Sequence, residues 1–205
     1  MLKYAAVAFT FLMATTAYLQ CAPNKDMTYN TKTTDAMSIA TFAGGCFWCI
    51  ESDLEKLSGV SKVISGYIDG HSENPSYREV SSGRSGHVEA VEVHFDANAI
   101  SYNEILNAFW RHIDPTDTGG QFVDRGHQYK PFVFYNTDDQ RVAAIESREA
   151  LSKTGRFDKP IATAIKAASK FWPAEEYHQD YYKKNPLRYK FYRYNSGRDQ
   201  FLESI

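Results

Sequence analysis

Apolar positions along the chain change period several times, and the changes mark out its elements. Residues 38–42 read as a short strand that stops at Ala43-Gly44-Gly45. From Cys46 the apolar residues fall at 46, 47, 50, 54 and 57, the spacing of one helix face, with Gly59 as a stop. Val60–Ile68 returns to a strand pattern, and a polar loop with glycine and proline fills 69–86. Residues 88–95 (VEAVEVHF) form the clearest strand. Ser101-Tyr102-Asn103-Glu104 has the form of a capping box. Ile105, Leu106, Phe109, Trp110 and Ile113 continue it as an amphipathic helix that Pro115 ends. A second glycine-bearing loop covers 116–128, and 132–135 predicts a strand. Thr137 to Gln140 reads as another capping box opening a helix through Leu151. A further strand is expected at 161–165 and a short tyrosine-rich helix at 174–184. The order β-α-β, β-α-β predicts an α/β (α+β) fold of the ferredoxin-like, split βαβ kind. That is a two-layer sandwich, here with an additional C-terminal helix and coil.

The first residues follow a different pattern. Lys3 gives a positive start, and residues 4–17 are apolar and uncharged but too short to span a bilayer. Residues 1–20 therefore read as an export signal. Leu19-Gln20-Cys21 resembles a lipoprotein-type site, with Gln20 where a small residue is expected. Two alternatives stay open: a lipidated Cys21, giving membrane attachment, or a soluble exported protein that discards it. Residues 21–37 are polar and aperiodic, a tether, and 38–205 form one domain long enough for its own core. The expected location is the periplasm or cell envelope, as a monomer. A net charge of -2 gives no reason to expect nucleic acid as partner.

Cysteine is scarce, with three in 205 residues, and two of them lie in Gly44-Gly45-Cys46-Phe47-Trp48-Cys49. Strand, glycine turn and helix start place Cys46 where free N–H groups and the helix dipole lower a thiol pKa. Cys49 follows at i+3, on the same side and within disulfide reach. A staple closing so short a loop stabilises little, which favours a redox pair. Spacing alone fits a thioredoxin-like pair, half a zinc site or a structural pair. The six histidines show no close pairing at metal spacing. Taken singly, Tyr77, Glu89, Asp124 and Tyr129 read as ordinary polar positions, and Phe47 and Trp48 as core. Each of the four polar residues, however, lies on or beside one of the two long loops, where function concentrates.

Gly45-Cys46-Phe47-Trp48-Cys49 resembles the GCFW signature of A-type peptide methionine sulfoxide reductases. The likeness continues through Gly66-Tyr67, Asn74-Pro75-Ser76-Tyr77, Val80-Ser81-Ser82-Gly83 and Gly86-His87-Val88-Glu89. It extends to Asp124-Arg125-Gly126-His127-Gln128-Tyr129 and Pro173-Ala174-Glu175-Glu176-Tyr177-His178-Gln179, all in collinear order.

The resemblance implies thiol-dependent reduction of the S epimer of methionine sulfoxide, free or in oxidised proteins. It implies Cys46 as nucleophile and Glu89 as the acid that protonates the sulfoxide oxygen. Tyr77 and Tyr129 match hydroxyls that hold that oxygen, and Asp124 a supporting carboxylate. Phe47 and Trp48 match the walls of the substrate-methyl pocket. No metal or organic cofactor is implied, only an external thiol reductant such as a thioredoxin-like protein. Two positions depart from the pattern. Cys49 stands where many relatives have glycine, with no later cysteine, so it is the expected resolving residue. Arg125 stands where histidine is frequent. A thioredoxin-like thiol-disulfide oxidoreductase is the alternative function.

Overall fold

A computed structural model describes residues 37–204. The expected leader, Cys21 and all of the tether but Met37 lie outside the described residues. In chain order the elements are β1 (Met37–Ala43), α1 (Phe47–Leu54), β2 (Val60–Ile68), α2 (Tyr77–Ser81) and β3 (Val88–Asp96). There follow α3 (Tyr102–Trp110), β4 (Gly120–Gln121), β5 (Asp124–Arg125), β6 (Phe132–Tyr135), α4 (Asp138–Lys153) and β7 (Ala164–Ala167). The chain closes with β8 (Trp172–Pro173), α5 (Tyr181–Lys184), α6 (Pro186–Asn195) and α7 (Arg198–Ser204).

Six strands form one sheet in the order β7-β6-β1-β3-β2-β8, and β4 and β5 pair separately. β1 is antiparallel to both β3 and β6, and β2 is antiparallel to β3. Thus β1 and β2 run parallel with β3 between them, and β3 and β6 run parallel with β1 between them. Two interlocked split βαβ units of this kind are the ferredoxin-like arrangement that the element order predicts. Strand period sorts the core. Ala40, Phe42, Val91, Val93 and Phe95 meet Phe47, Ile50, Leu54, Ile105 and Phe109 from the helices. Ala43, Ile68, Val88, Ala90, Phe132 and Phe134 line a second cluster. Glu89 has the odd parity of Val91 and Val93, so it lies on the helix side and is 2% exposed.

Every residue of α1 except Trp48 is buried. Phe47, Ile50 and Leu54 each contribute about 1.5–3 kcal/mol by leaving water. Its acidic residues are buried too, and each has a partner from the C-terminal segment. Glu51 accepts a hydrogen bond from the Asp180 N–H at 2.9 Å. Asp53 takes the Arg193 guanidinium at 2.8 Å on both oxygens.

Several boundaries differ from the pattern-based expectation. α1 ends at Leu54, three residues before the last apolar match, because tight turns at Leu57 and Val60 redirect the chain. The loop at 69–86 contains α2, opened by a reciprocal capping box between Ser76 and Glu79. Thr137 caps α4, but the Gln140 side chain accepts from Asn136 and donates to Ile39, so that box is not reciprocal. Residues 162 and 163 bond to the Pro115 carbonyl, which delays the strand expected at 161–165 until Ala164. Only the last turn of the helix expected at 174–184 forms, since Asp180 has φ +53°. Beyond it stand two helices, α6 and α7, rather than one helix and coil.

The β1–α1 turn depends on Gly45. Its φ is +82°, and a Cβ there would stand 2.6 Å from the Gln121 Cβ. Gln121 is fixed by hydrogen bonds to both backbone groups of Asp114 and cannot yield. We expect Gly45→Ala to lose about 2–4 kcal/mol in urea unfolding, from left-handed strain plus overlap. A loss under ~0.5 kcal/mol would contradict this account.

Candidate active site

Cys46 is the N-cap of α1 and is 6% exposed; its side chain makes no capping bond. The first helical amide, Phe47 N–H, donates instead to Glu89 Oε2 at 3.1 Å. The helix end thus serves the carboxylate of β3 rather than the thiol. Burial pushes the Glu89 carboxyl up to about 8, with the Asp124 and Cys49 charges adding to it and the Phe47 bond opposing. Burial also pushes the Cys46 thiol up, aided by its hydrogen bond with Cys49 and by the charges of Cys49, Glu89 and Asp124. The expected lowering of Cys46 by the helix end is therefore reversed: desolvation among carboxylates outweighs a dipole already engaged. Cys49, fully buried, moves the other way. The Cys46 hydrogen bond lowers it against the cost of burial, and the Arg198 and Arg193 guanidiniums act in the same direction.

One cavity of about 80 Å³ gathers the expected residues, room for the end of one side chain and little more. Its lining is Cys46, Phe47, Trp48, Tyr77, Glu89, Asp124, Tyr129 and Tyr192. Of the expected residues only Cys49 is outside it. Burial raises the phenols of both Tyr77 and Tyr129, Tyr77 to about 12, and the Glu89 charge adds to each. Tyr77 is the first residue of α2, and its N–H donates to Glu175 Oε1 at 2.8 Å. Glu175 Oε2 accepts from the Tyr67 hydroxyl at 2.8 Å, tying α2 to the sheet. Tyr129 ends a 3₁₀ turn, held to α2 by the Gln128 amide on the Ser81 carbonyl at 3.1 Å.

Three residues enter that sequence reading did not assign. Tyr192, on α6, lines the cavity and donates its hydroxyl to Asp124. His178 packs against the Phe47 ring at 5.0 Å and the Tyr77 ring at 4.4 Å. Its Nδ1 accepts the Trp48 indole N–H at 3.2 Å. Burial keeps that imidazole neutral, as an acceptor at Nδ1 must be. Arg198 approaches the glycine turn from α7. Signals existed for His178 and Glu175, which lie in the quoted 173–179 block, but nothing local marks Tyr192 among its neighbouring tyrosines. Arg125 is turned away: its guanidinium binds Asp117, and Asp124 is left to Tyr192 and the charge of Arg198. Among the described residues there is no cluster of three metal-binding side chains, nor a helix long and apolar enough to cross a membrane.

A thiol, a carboxyl that keeps its proton near neutrality and two phenols around one aromatic-walled cavity, with a second buried thiol three residues on, define a site for thiol redox chemistry. Residues 38–205 match the family model described as peptide methionine sulfoxide reductase. The chain is 53% identical over 165 residues to the peptide methionine sulfoxide reductase MsrA of Bacillus licheniformis, covering 80% of this chain and 91% of that one. It is 48% identical over 202 residues to MsrA/MsrB of Vibrio cholerae serotype O1, covering 98% of this chain but only 53% of that relative's length. Among solved structures, reduced Mxr1 from Saccharomyces cerevisiae aligns with a TM-score of 0.69 and 30% identity, covering 73% of this chain and 86% of that one. The chain belongs to the peptide methionine sulfoxide reductase family.

The Glu89 environment has a measurable consequence for stability. Its folded pKa, about 8, lies above the unfolded value near 4.5. The stabilising contribution is therefore complete below about pH 4.5 and is lost as pH rises through about 8, a difference on the order of 5 kcal/mol. Glu89→Gln removes this dependence. Its unfolding free energy should gain on wild type progressively from pH 5 to pH 8.5, measured by urea denaturation. A gain that does not change with pH would refute the assignment.

Proposed function

We propose that the protein reduces the S epimer of methionine sulfoxide, free and in oxidised proteins, to methionine. The observation that carries this reading is the shared cavity, where a thiol, a protonated carboxyl and two phenols face one small space. A sulfoxide oxygen is a poor leaving group until protonated, so the thiol requires an acid aimed at that oxygen. Glu89 supplies it. Its Oε2 is engaged by Phe47, leaving Oε1 to carry the proton. Tyr77 and Tyr129 donate to the same oxygen as charge develops there. The rings of Phe47 and Trp48 wall the S-methyl group, and sulfur–aromatic contact favours the fit.

In the first step Cys46 sulfur bonds to the sulfoxide oxygen's former partner only transiently; the net change is transfer of that oxygen. Cys46 is oxidised by two electrons to the sulfenic acid, methionine sulfur is reduced by two, and the thiol proton replaces the one Glu89 donates. Cys49 then attacks the sulfenic sulfur, and the Cys46–Cys49 disulfide is returned to dithiol by a thioredoxin-like donor. A yeast Mxr1 structure described as a complex with Trx2 makes such a donor reasonable for this fold. The disulfide-oxidoreductase alternative would leave Glu89, Tyr77 and Tyr129 without a task. We further propose that the protein works as an exported monomer in the cell envelope, on the strength of the 1–20 leader pattern. Mass spectrometry of the mature N-terminus distinguishes a lipidated Cys21 from a discarded one.

With racemic methionine sulfoxide and dithiothreitol, half of the substrate should be consumed, and Cys46→Ser should abolish the reaction. Reduction of insulin disulfides with neither epimer consumed would favour the alternative. Cys49→Ser should release the first equivalent of methionine normally yet lose at least ~10-fold in thioredoxin-driven turnover. Unchanged turnover would remove Cys49 from the cycle.

A further inference from the structure

Arg198 is 1% exposed, and its guanidinium makes hydrogen bonds only to neutral groups. One amino group donates to the His112 carbonyl and the other to the Gly44 carbonyl at 2.9 Å. Its Nε is sealed from solvent and has no partner. Arg193, its neighbour on α6, is ion-paired with Asp53 and Asp199. Among the described residues no carboxylate stands within 4.0 Å of Arg198. A guanidinium cannot shed its proton, and an unpaired buried charge is costly. An anion should therefore share this space during the reaction.

Two groups feel the charge. Asp124 already accepts the Tyr192 hydroxyl, and burial raises its carboxyl despite Arg198. The other is Cys49. The charges around that sulfur come from several elements. On α1, Asp53 opposes a thiolate while the Cys46 thiol donates to it. On α6, Arg193 favours it, but Arg193 and Asp53 form one ion pair whose effects largely cancel. Tyr189 and Tyr192, also on α6, are phenols that burial keeps neutral. Glu89 faces it from β3 and is held protonated near neutrality. The uncancelled charge is Arg198.

We propose that Arg198 is a positioning residue for the resolving step, placing a fixed positive charge opposite Cys49 as it attacks the Cys46 sulfenic acid. This rests on the reading that Cys49 resolves. In that step the Cys49 thiolate forms the S–S bond, the Cys46 S–O bond breaks, and the oxygen leaves as water after taking a proton from Glu89. Cys49 is oxidised and the sulfenic sulfur is reduced, each by one electron. The Gly44 carbonyl bond fixes the guanidinium to the turn that carries Cys46, so the charge and both sulfurs keep one geometry.

The test separates the two halves of a single turnover, without reductant, over pH 5 to 10. Methionine release reports the first half, and loss of dimedone-trappable sulfenic acid reports the second. In wild type the disulfide-forming rate should titrate with a midpoint below the ordinary thiol value of about 8.5. Arg198→Gln should leave methionine release within about two-fold, slow disulfide formation ~10-fold at pH 7 and move its midpoint up by about one pH unit. Arg198→Lys should restore most of the rate. Should the Gln variant fail to fold, the wild-type midpoint still decides: a value at or above 8.5 overturns the proposal. So does a Gln variant slowed equally in both halves with an unmoved midpoint. If wild type forms no Cys46–Cys49 disulfide, the resolving role of Cys49 falls and this proposal with it.

Discussion

The hydrogen bond from the Phe47 amide to Glu89 is the constraint on which the site depends. It joins the first turn of α1 to the central strand β3, and so fixes the distance between nucleophile and acid. It also settles which group receives the helix's positive end. A carboxylate at that position is stabilised, yet burial outweighs the bond and leaves Glu89 with its proton near neutral pH. Cys46, deprived of the amide and surrounded by acidic groups, rests as a thiol. The site is thus assembled in the protonation state that a sulfoxide needs, with the acid holding its proton and the nucleophile resting as a thiol until substrate arrives.

A second constraint follows from burying a short helix on all sides. Polar residues on α1 must find partners, because no water reaches them. Glu51 finds the Asp180 amide, Asp53 finds Arg193, and Trp48 finds His178 and the stacked ring of Tyr181 at 3.7 Å. All of these partners lie between residues 178 and 193, so the C-terminal segment is fixed to the catalytic helix. That segment then delivers Tyr192 to the cavity and Arg198 to the turn beneath it. Cys49, a buried residue of α1, sits in a different electrostatic setting from Cys46 although they are only three positions apart.

Much of this was legible in the chain. The strand patterns at 60–68, 88–95 and 132–135 became strands at nearly those limits, and the Ser101–Glu104 box opens α3 as written. Local chemistry specifies such features, since alternation and capping act over a few residues. Errors fell where a distant contact overrides local preference. Pro115 holds 162 and 163 out of the sheet, Ile39 captures the Gln140 amide, and Glu51 draws the Asp180 backbone into a left-handed turn. None of these partners is within reach of a sequence window.

Sequence alone therefore determined the strands and helices of the two split βαβ units and α4, the ferredoxin-like class, and the identity of seven of the eight cavity-lining residues. It did so because each lies in a distinctive block that keeps its order along the chain. Only the tertiary structure decided strand order, the reversal at Cys46, and the approach of Tyr192 and Arg198. Those outcomes depend on which charges and which apolar walls surround a group, and elements far apart in sequence supply most of them. The GCFWC stretch names the reacting atoms; the packing around it sets their charge.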